Sequence, residues 1–255
     1  MPYISRNDSE LYYEVYGTGR PLVLLHGTGG NHASWFYQIA EWSGIYQLVI
    51  VDARGFGNSI DGEGVGRSEF TNDLLHILDH LKLEQVTLIA QSMGGGTAVD
   101  FAARYPHRVN GMVLADTLVW LDPSPEMVSE FNRVQDEAVD LSQSQRVLGK
   151  TFRREKPALS ELYLQIATFN WYKVKTLVGE QRRYTPQQLS EIGIPVCFVV
   201  GDEDILFPPA LIAQAKDSVV GSSMFTIPKA GHSAYFESPE VFNYCVGQWL
   251  EDHVF

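Results

Sequence analysis

The run Val86-Thr87-Leu88-Ile89-Ala90-Gln91-Ser92-Met93-Gly94-Gly95-Gly96 changes character at a serine. Before Ser92 the residues are largely apolar, as in a strand buried on both faces. After it come small residues and a helical pattern that reaches Tyr105, where Pro106 ends it. A serine at such a tight strand-to-helix turn is lifted above the sheet. It lies beside the free N–H groups of a helix N-terminus, where negative charge is favoured. The turn tolerates only small neighbours, and Ala90, Gly94 and Gly95 supply them. The pattern is G-x-S-x-G with alanine at the first glycine. A junction of this kind also occurs as plain packing, so its meaning depends on the rest of the chain.

Outward from this turn, strands alternate with helices. Tyr3–Ser5 and Leu11–Tyr16 flank the turn-forming Asn7-Asp8-Ser9 and read as a hairpin. Leu22–Leu25, Gln47–Val51, Val109–Ala115, Ile194–Val200 and Met224–Ile227 read as further strands. Ala33–Trp42, Ser68–Leu81 and Pro208–Asp217 have helical spacing between them. Ser238 is expected to cap a last helix, with Pro239 in its first position, running to about Glu251. This order predicts an α/β fold, with a mainly parallel, doubly wound sheet covered by helices on both faces.

One stretch breaks the alternation. From Val119 to Leu189 there are helical patterns, several prolines and many large apolar residues, among them Trp120, Phe131, Leu148, Phe169, Trp171 and Tyr172, but no convincing strand. A single crossover helix needs only about a dozen residues. The expected organisation is therefore a core of residues 1–118 and 190–255, with residues 119–189 as a helical cap inserted between two strands. The aromatic content of this cap suggests a small, partly apolar acyl or alcohol group as the ligand.

Other residues able to do chemistry also follow strands. His232 stands in Pro228-Lys229-Ala230-Gly231-His232, a loop after the last strand, where a base could reach Ser92 in a doubly wound sheet. Asp204 lies just past Ile194–Val200 and could hold the second ring nitrogen of that histidine. Asp202 and Asp116 also stand at strand ends and compete for this role. His26-Gly27-Thr28-Gly29-Gly30 is a glycine-rich turn after Leu22–Leu25. It can aim a backbone N–H at a developing oxyanion, and Thr28 is assigned that donor with the N–H of Met93 as the second. Such donors contribute about 3–4 kcal/mol each. A phosphate loop is disfavoured, because neither G-x-x-x-x-G-K-[ST] nor G-x-G-x-x-G after a strand is present. His76 and His80 are four apart on a helix, but without HExxH they read as a solvated face, and no metal is expected.

The composition narrows the partners. With a net charge of −12 and only isolated basic pairs, Arg153-Arg154 and Arg182-Arg183, the 255-residue chain does not suit nucleic acid. Its longest apolar runs are far too short to span a membrane. The first residues do not have the form of a signal peptide, and a cytoplasmic location is the expectation. Cys197 and Cys245 read as buried free thiols. Oligomeric state is not legible.

Taken together, these segments resemble the α/β-hydrolase superfamily, in particular its small esterase, lactonase and C–C hydrolase members, over nearly the whole chain. The hairpin looks like the family's first two strands and His26–Gly30 like its oxyanion loop. Asp52-Ala53-Arg54-Gly55-Phe56-Gly57-Asn58-Ser59 matches its D-x-R-G-x-G-x-S turn. Ala90–Gly94 looks like its nucleophile elbow. Gly201-Asp202-Glu203-Asp204 looks like its acid loop, favouring Asp204, and Gly231-His232 like its histidine loop. The order Ser92, Asp204, His232 is the family's own. Ala90 departs from the pattern. A serine nucleophile argues against the dehalogenases and epoxide hydrolases of this fold, which carry aspartate there. The resemblance implies hydrolysis of a carboxylic ester or lactone without a cofactor. C–C hydrolases, cofactor-free haloperoxidases or perhydrolases, and a receptor with vestigial hydrolysis are the alternatives.

Overall fold

A computed structural model describes residues 2–255. Eight strands form one sheet: β1 (Tyr3–Arg6), β2 (Ser9–Tyr16), β3 (Pro21–Leu25), β4 (Gln47–Val51), β5 (Val86–Gln91), β6 (Val109–Ala115), β7 (Val196–Gly201) and β8 (Ser223–Ile227). Their spatial order is β1-β2-β4-β3-β5-β6-β7-β8. β2 runs antiparallel to both β1 and β4, and every later pairing is parallel. The strand series reverses direction across the sheet at β3 and β5. A crevice opens beyond the carboxyl ends of strands at such a switch point, and the turns bearing Thr28 and Ser92 flank it.

The sheet is buried on both faces because its strand residues alternate between two cores. Val23, Leu25, Val49, Leu88, Met112 and Phe198 pack on one side, with the helices Phe70–His80, Met93–Arg104 and Pro209–Asp217. Leu22, Leu24, Ile50, Ile89, Val113 and Val199 pack on the other, with Phe36–Trp42 and Pro239–His253. Each buried side chain of this size contributes about 1.5–3 kcal/mol. The Met93–Arg104 helix lies unusually close to the sheet. A Cβ on Gly94 would sit 2.4 Å from the carbonyl oxygen of Leu25. That approach is what the glycines after Ser92 make possible.

Between β6 and β7 the chain makes a long helical excursion: Pro125–Ala138, Gln143–Val147, Lys150–Glu155, Pro157–Thr168 and Pro186–Glu191. Ser124 caps the first, while Ser142/Gln145 and Thr185/Gln188 form capping boxes on the second and fifth. Trp120 and Leu148 are buried here, whereas Phe169 and Trp171 are exposed.

Several boundaries differ from the sequence reading. β7 starts at Val196 rather than Ile194, because Pro195 has no N–H to give a ladder. The stretch at Ala33 opens as a 3-10 turn, His32–Trp35, before the α-helix begins at Phe36. Ser238 precedes the last helix, but its side chain makes no capping bond. A short helix not foreseen, Ala234–Glu237, ends on that same residue, whose backbone (φ −133°, ψ 62°) serves both helices. Cys197 is buried and Cys245 only half-buried, and both are free. No helix is long and apolar enough to cross a membrane among the described residues.

Candidate active site

Ser92 occupies a strained turn, with φ 46° and ψ −115°. Non-glycine residues avoid positive φ, so the surroundings must hold it there. Its N–H donates to Ala115 O at 3.0 Å, and Thr117 Oγ donates to its carbonyl oxygen at 2.7 Å. The end of β6 thereby clamps the elbow from the side.

His232 reaches Ser92 from the loop after β8. Its Nε2 lies 2.9 Å from Ser92 Oγ, and its Nδ1 lies 3.0 Å from Asp204 Oδ2. A carboxylate only accepts, so Nδ1 carries the proton and Nε2 is left to accept from the serine hydroxyl. Burial alone would lower the histidine's proton affinity. The charge and hydrogen bond of Asp204, with Asp116 and Glu237 behind, outweigh it and raise the pKa above 6.5. The other oxygen of Asp204 accepts from the N–H groups of Leu206 and Phe207, at 2.8 and 3.1 Å. Both rivals for its place are occupied differently. Asp202 is exposed. Asp116 is buried and spends its oxygens on Gly201 N and Ala234 N, at 2.8 and 3.1 Å. It joins the loop of the acid to that of the histidine, and burial next to Asp204 pushes its carboxyl well above the usual range.

Met93 begins the helix after the elbow, so its N–H has no partner in the preceding turn. The Thr28 N–H donates to no acceptor among the described residues. The turn that carries Thr28 is held from both ends. The two ring nitrogens of His26 lie 2.8 Å from Gly27 O and 3.0 Å from Ala53 N, which assigns the proton to Nδ1. Burial holds this histidine below 6.5 and so favours its neutral form. On the other end sits Asn170, from the helical excursion. Its amide donates to Gly30 O at 3.0 Å and to Thr28 O at 3.4 Å, while its oxygen accepts from Asn31 Nδ2 and Gly57 N, both at 3.0 Å.

Three further residues were not singled out by the sequence. Gln91 donates to His232 O at 2.7 Å. Glu237 accepts from the N–H groups of Gly149, Gly231 and Ser233, at 2.7, 3.0 and 3.1 Å, and burial raises its carboxyl to about 7. Glu203 accepts from the N–H and hydroxyl of Thr151. Nothing in the sequence distinguishes Asn170, Glu237 or Glu203 from surface polar residues. The helical excursion folding over the sheet brings in Asn170 and supplies partners to Glu237 and Glu203.

Above Ser92 lies a cavity of about 360 Å³. Thr28, Gln91 and His232 form its floor, and Val147, Tyr163 and Leu206 part of its walls. Phe169 and Trp171 do not line it; Trp171 faces a separate hollow beside Gly55 and Asp61. The D-x-R-G-x-G-x-S turn is structural. Arg54 is fully buried in a knot with Asp73, at 2.7 Å, and with Glu63 and Asp61. His76 bonds Ser5 O, and the ring of His80 packs against Tyr13, so the two do not converge as ligands.

Known proteins share this arrangement of elements. The chain is 26% identical to the 3-oxoadipate enol-lactonase 2 of Acinetobacter baylyi, over 95% of this chain and 94% of that one. A thermophilic esterase from Thermogutta terrifontis, solved with malate bound, superposes with a TM-score of 0.83 at 27% identity, covering 97% of this chain and 95% of the other. A bromoperoxidase from Bacillus anthracis gives 0.79 at 23%, covering 95% and 96%, a likeness of fold. The family model for the α/β hydrolase fold matches residues 20–239. With its sheet order, its elbow and this match, the chain belongs to the α/β-hydrolase fold family.

Proposed function

We propose that the chain is a serine hydrolase that cleaves a small carboxylic ester or lactone through an acyl-enzyme on Ser92. The observation that carries this reading is the unbroken line Asp204–His232–Ser92, ending on a serine held at a strained elbow. It is an enzyme acting on ester bonds. The esterase and lactonase relatives support that class.

His232 Nε2 takes the hydroxyl proton as Ser92 Oγ attacks the carbonyl carbon. Asp204 keeps the ring in the required tautomer and stabilises the imidazolium. The Thr28 and Met93 N–H groups meet the oxyanion. The imidazolium then gives its proton to the leaving alkoxide. In a lactone the alkoxide stays tethered to the acyl group. Water, deprotonated by the same Nε2, attacks the acyl-enzyme and frees the acid. The helices of residues 119–189 act as a cap over the cavity and exclude bulk water from it.

The test is hydrolysis of p-nitrophenyl acetate by the native protein and by Ser92→Ala, with folding checked by circular dichroism. Loss of the nucleophile in a working triad costs on the order of 10⁶ in turnover. Equal rates in the two folded proteins would sink the assignment.

A further inference from the structure

The cavity over Ser92 carries a charge opposite to that of the whole protein. The chain has a net charge of −12. Yet Arg146, Lys173 and Lys175 line this cavity, and no Asp or Glu does among the described residues. Arg146 projects from the Gln143–Val147 helix, and the lysines from the strap that follows Asn170, so the cations come from two separate segments of the excursion. Arg146 is half-buried, and its guanidinium has neither an ion pair nor a hydrogen bond among the described residues. Among the described residues, Lys173 Nζ donates only to a backbone carbonyl, Ala167 O, at 2.6 Å, and Lys175 has no acidic partner. The fully buried Arg54 guanidinium, by contrast, is paired with Asp73. Half-burying an unpaired cation costs free energy that a bound anion would return.

We infer that the substrate of this site carries a carboxylate, or an equivalent anionic group, held by Arg146 with Lys173 and Lys175 while Ser92 attacks an ester or lactone carbonyl elsewhere in the same molecule. The inference rests on the hydrolase reading above. The cations fix which end of the substrate faces the serine. Arg146 offers a planar fork suited to a carboxylate, and the lysines supply adaptable point charges. The net charge of −12 repels such a substrate on average, and these three cations offset that repulsion at the cavity.

The experiment compares kcat/KM for monomethyl adipate and dimethyl adipate, whose acyl chains match and whose charge does not. The expected preference for the monoanion is on the order of tenfold or more. It falls toward one in Arg146→Gln and with 0.5 M sodium chloride. Lys216→Gln, which removes the same charge far from the cavity, leaves the ratio unchanged. A second readout needs no turnover. Adipate slows labelling of Ser92 by a neutral fluorophosphonate in the native protein, and does so much less in Arg146→Gln; the neutral adipamide does not slow it. Equal or better cleavage of the diester overturns the inference, as does a ratio indifferent to Arg146, or equal effects of adipate and adipamide on labelling. These results would leave the hydrolase reading intact. Turnover and labelling that both survive Ser92→Ala would instead remove the reading on which the inference stands.

Discussion

Replacing Asn170 by alanine tests how the glycine-rich turn after β3 is held. The side chain is buried and makes three bonds at 3.0 Å, to Gly30 O, Asn31 Nδ2 and Gly57 N, besides a long one of 3.4 Å to Thr28 O. Asn31 Nδ2 keeps a second acceptor in Ile166 O, so its loss is partial. Gly30 O and Gly57 N lose their bonds to this side chain. At about 1 kcal/mol for each of three bonds, the variant should lose about 3 kcal/mol of stability, or roughly 6–12 °C in Tm. Catalysis should suffer separately. Removing an oxyanion donor outright costs about 10²–10³ in kcat, and with Thr28 as the proposed donor, an N–H that has drifted should cost about tenfold. Asn170→Asp separates the two roles, since it keeps both accepted bonds and loses both donated ones. Urea unfolding and ester kinetics on all three proteins provide the assay. An Asn170→Ala protein within about 0.5 kcal/mol of the native one, with kcat unchanged, would refute the reasoning.

In the proposed mechanism His232 must be neutral to act, and Asp204 raises its pKa, so kcat/KM should fall on the acid side with a midpoint above 6.5. Asp204→Asn should move that midpoint down, and a pH–rate profile reads both. The Glu237 carboxyl holds its proton up to about 7 in the folded chain, against 4.5 when unfolded. Between those values the unfolded state binds fewer protons, so stability declines as pH rises through that window. Glu237→Gln should flatten the decline, as measured by denaturation at pH 5, 6 and 7; an unchanged slope would remove Glu237 from the account. Gly94→Ala would drive a Cβ to 2.4 Å from Leu25 O, pushing helix and strand apart at a cost of about 1–3 kcal/mol. Native thermal stability in that variant would show that the approach is not needed.

The strands and the elbow were legible because period and punctuation are local properties. β4 and β6 match the apolar runs Gln47–Val51 and Val109–Ala115 end to end. Ser92, Asp204 and His232 were legible as a set because each follows a strand, and parallel strands bring their carboxyl ends to one edge. The sequence left Asp116 and Asp202 in competition, since position along the chain does not reveal burial. Hydrogen bonding separates them: one is solvated and the other is committed to two backbone N–H groups. Asn170 lies 140 residues from Gly30, and its contacts exist only once the excursion has docked. The exposure of Phe169 and Trp171 was hidden for the same reason. An apolar residue in a helical pattern states that some surface will be covered, not which one.

Among the polar joints between the β6–β7 excursion and the rest of the fold, three brace loops around Ser92 and His232: Gly149 on Glu237, Thr151 on Glu203, and Asn170 on the turn after β3. These joints define what could be transplanted. An excursion exchanged for that of another chain would have to bring its own equivalents of Gly149, Thr151 and Asn170, or the recipient's loops would lose their braces. Between the joints, the side chains of Arg146 and Lys175 bond nothing among the described residues and can diverge, whereas the strap itself is tied down by Tyr172 on Gly55 and Asp61. On the proposed function, the freedom to acquire a new ligand and the obligation to keep the catalytic geometry fall on adjacent but separate residues.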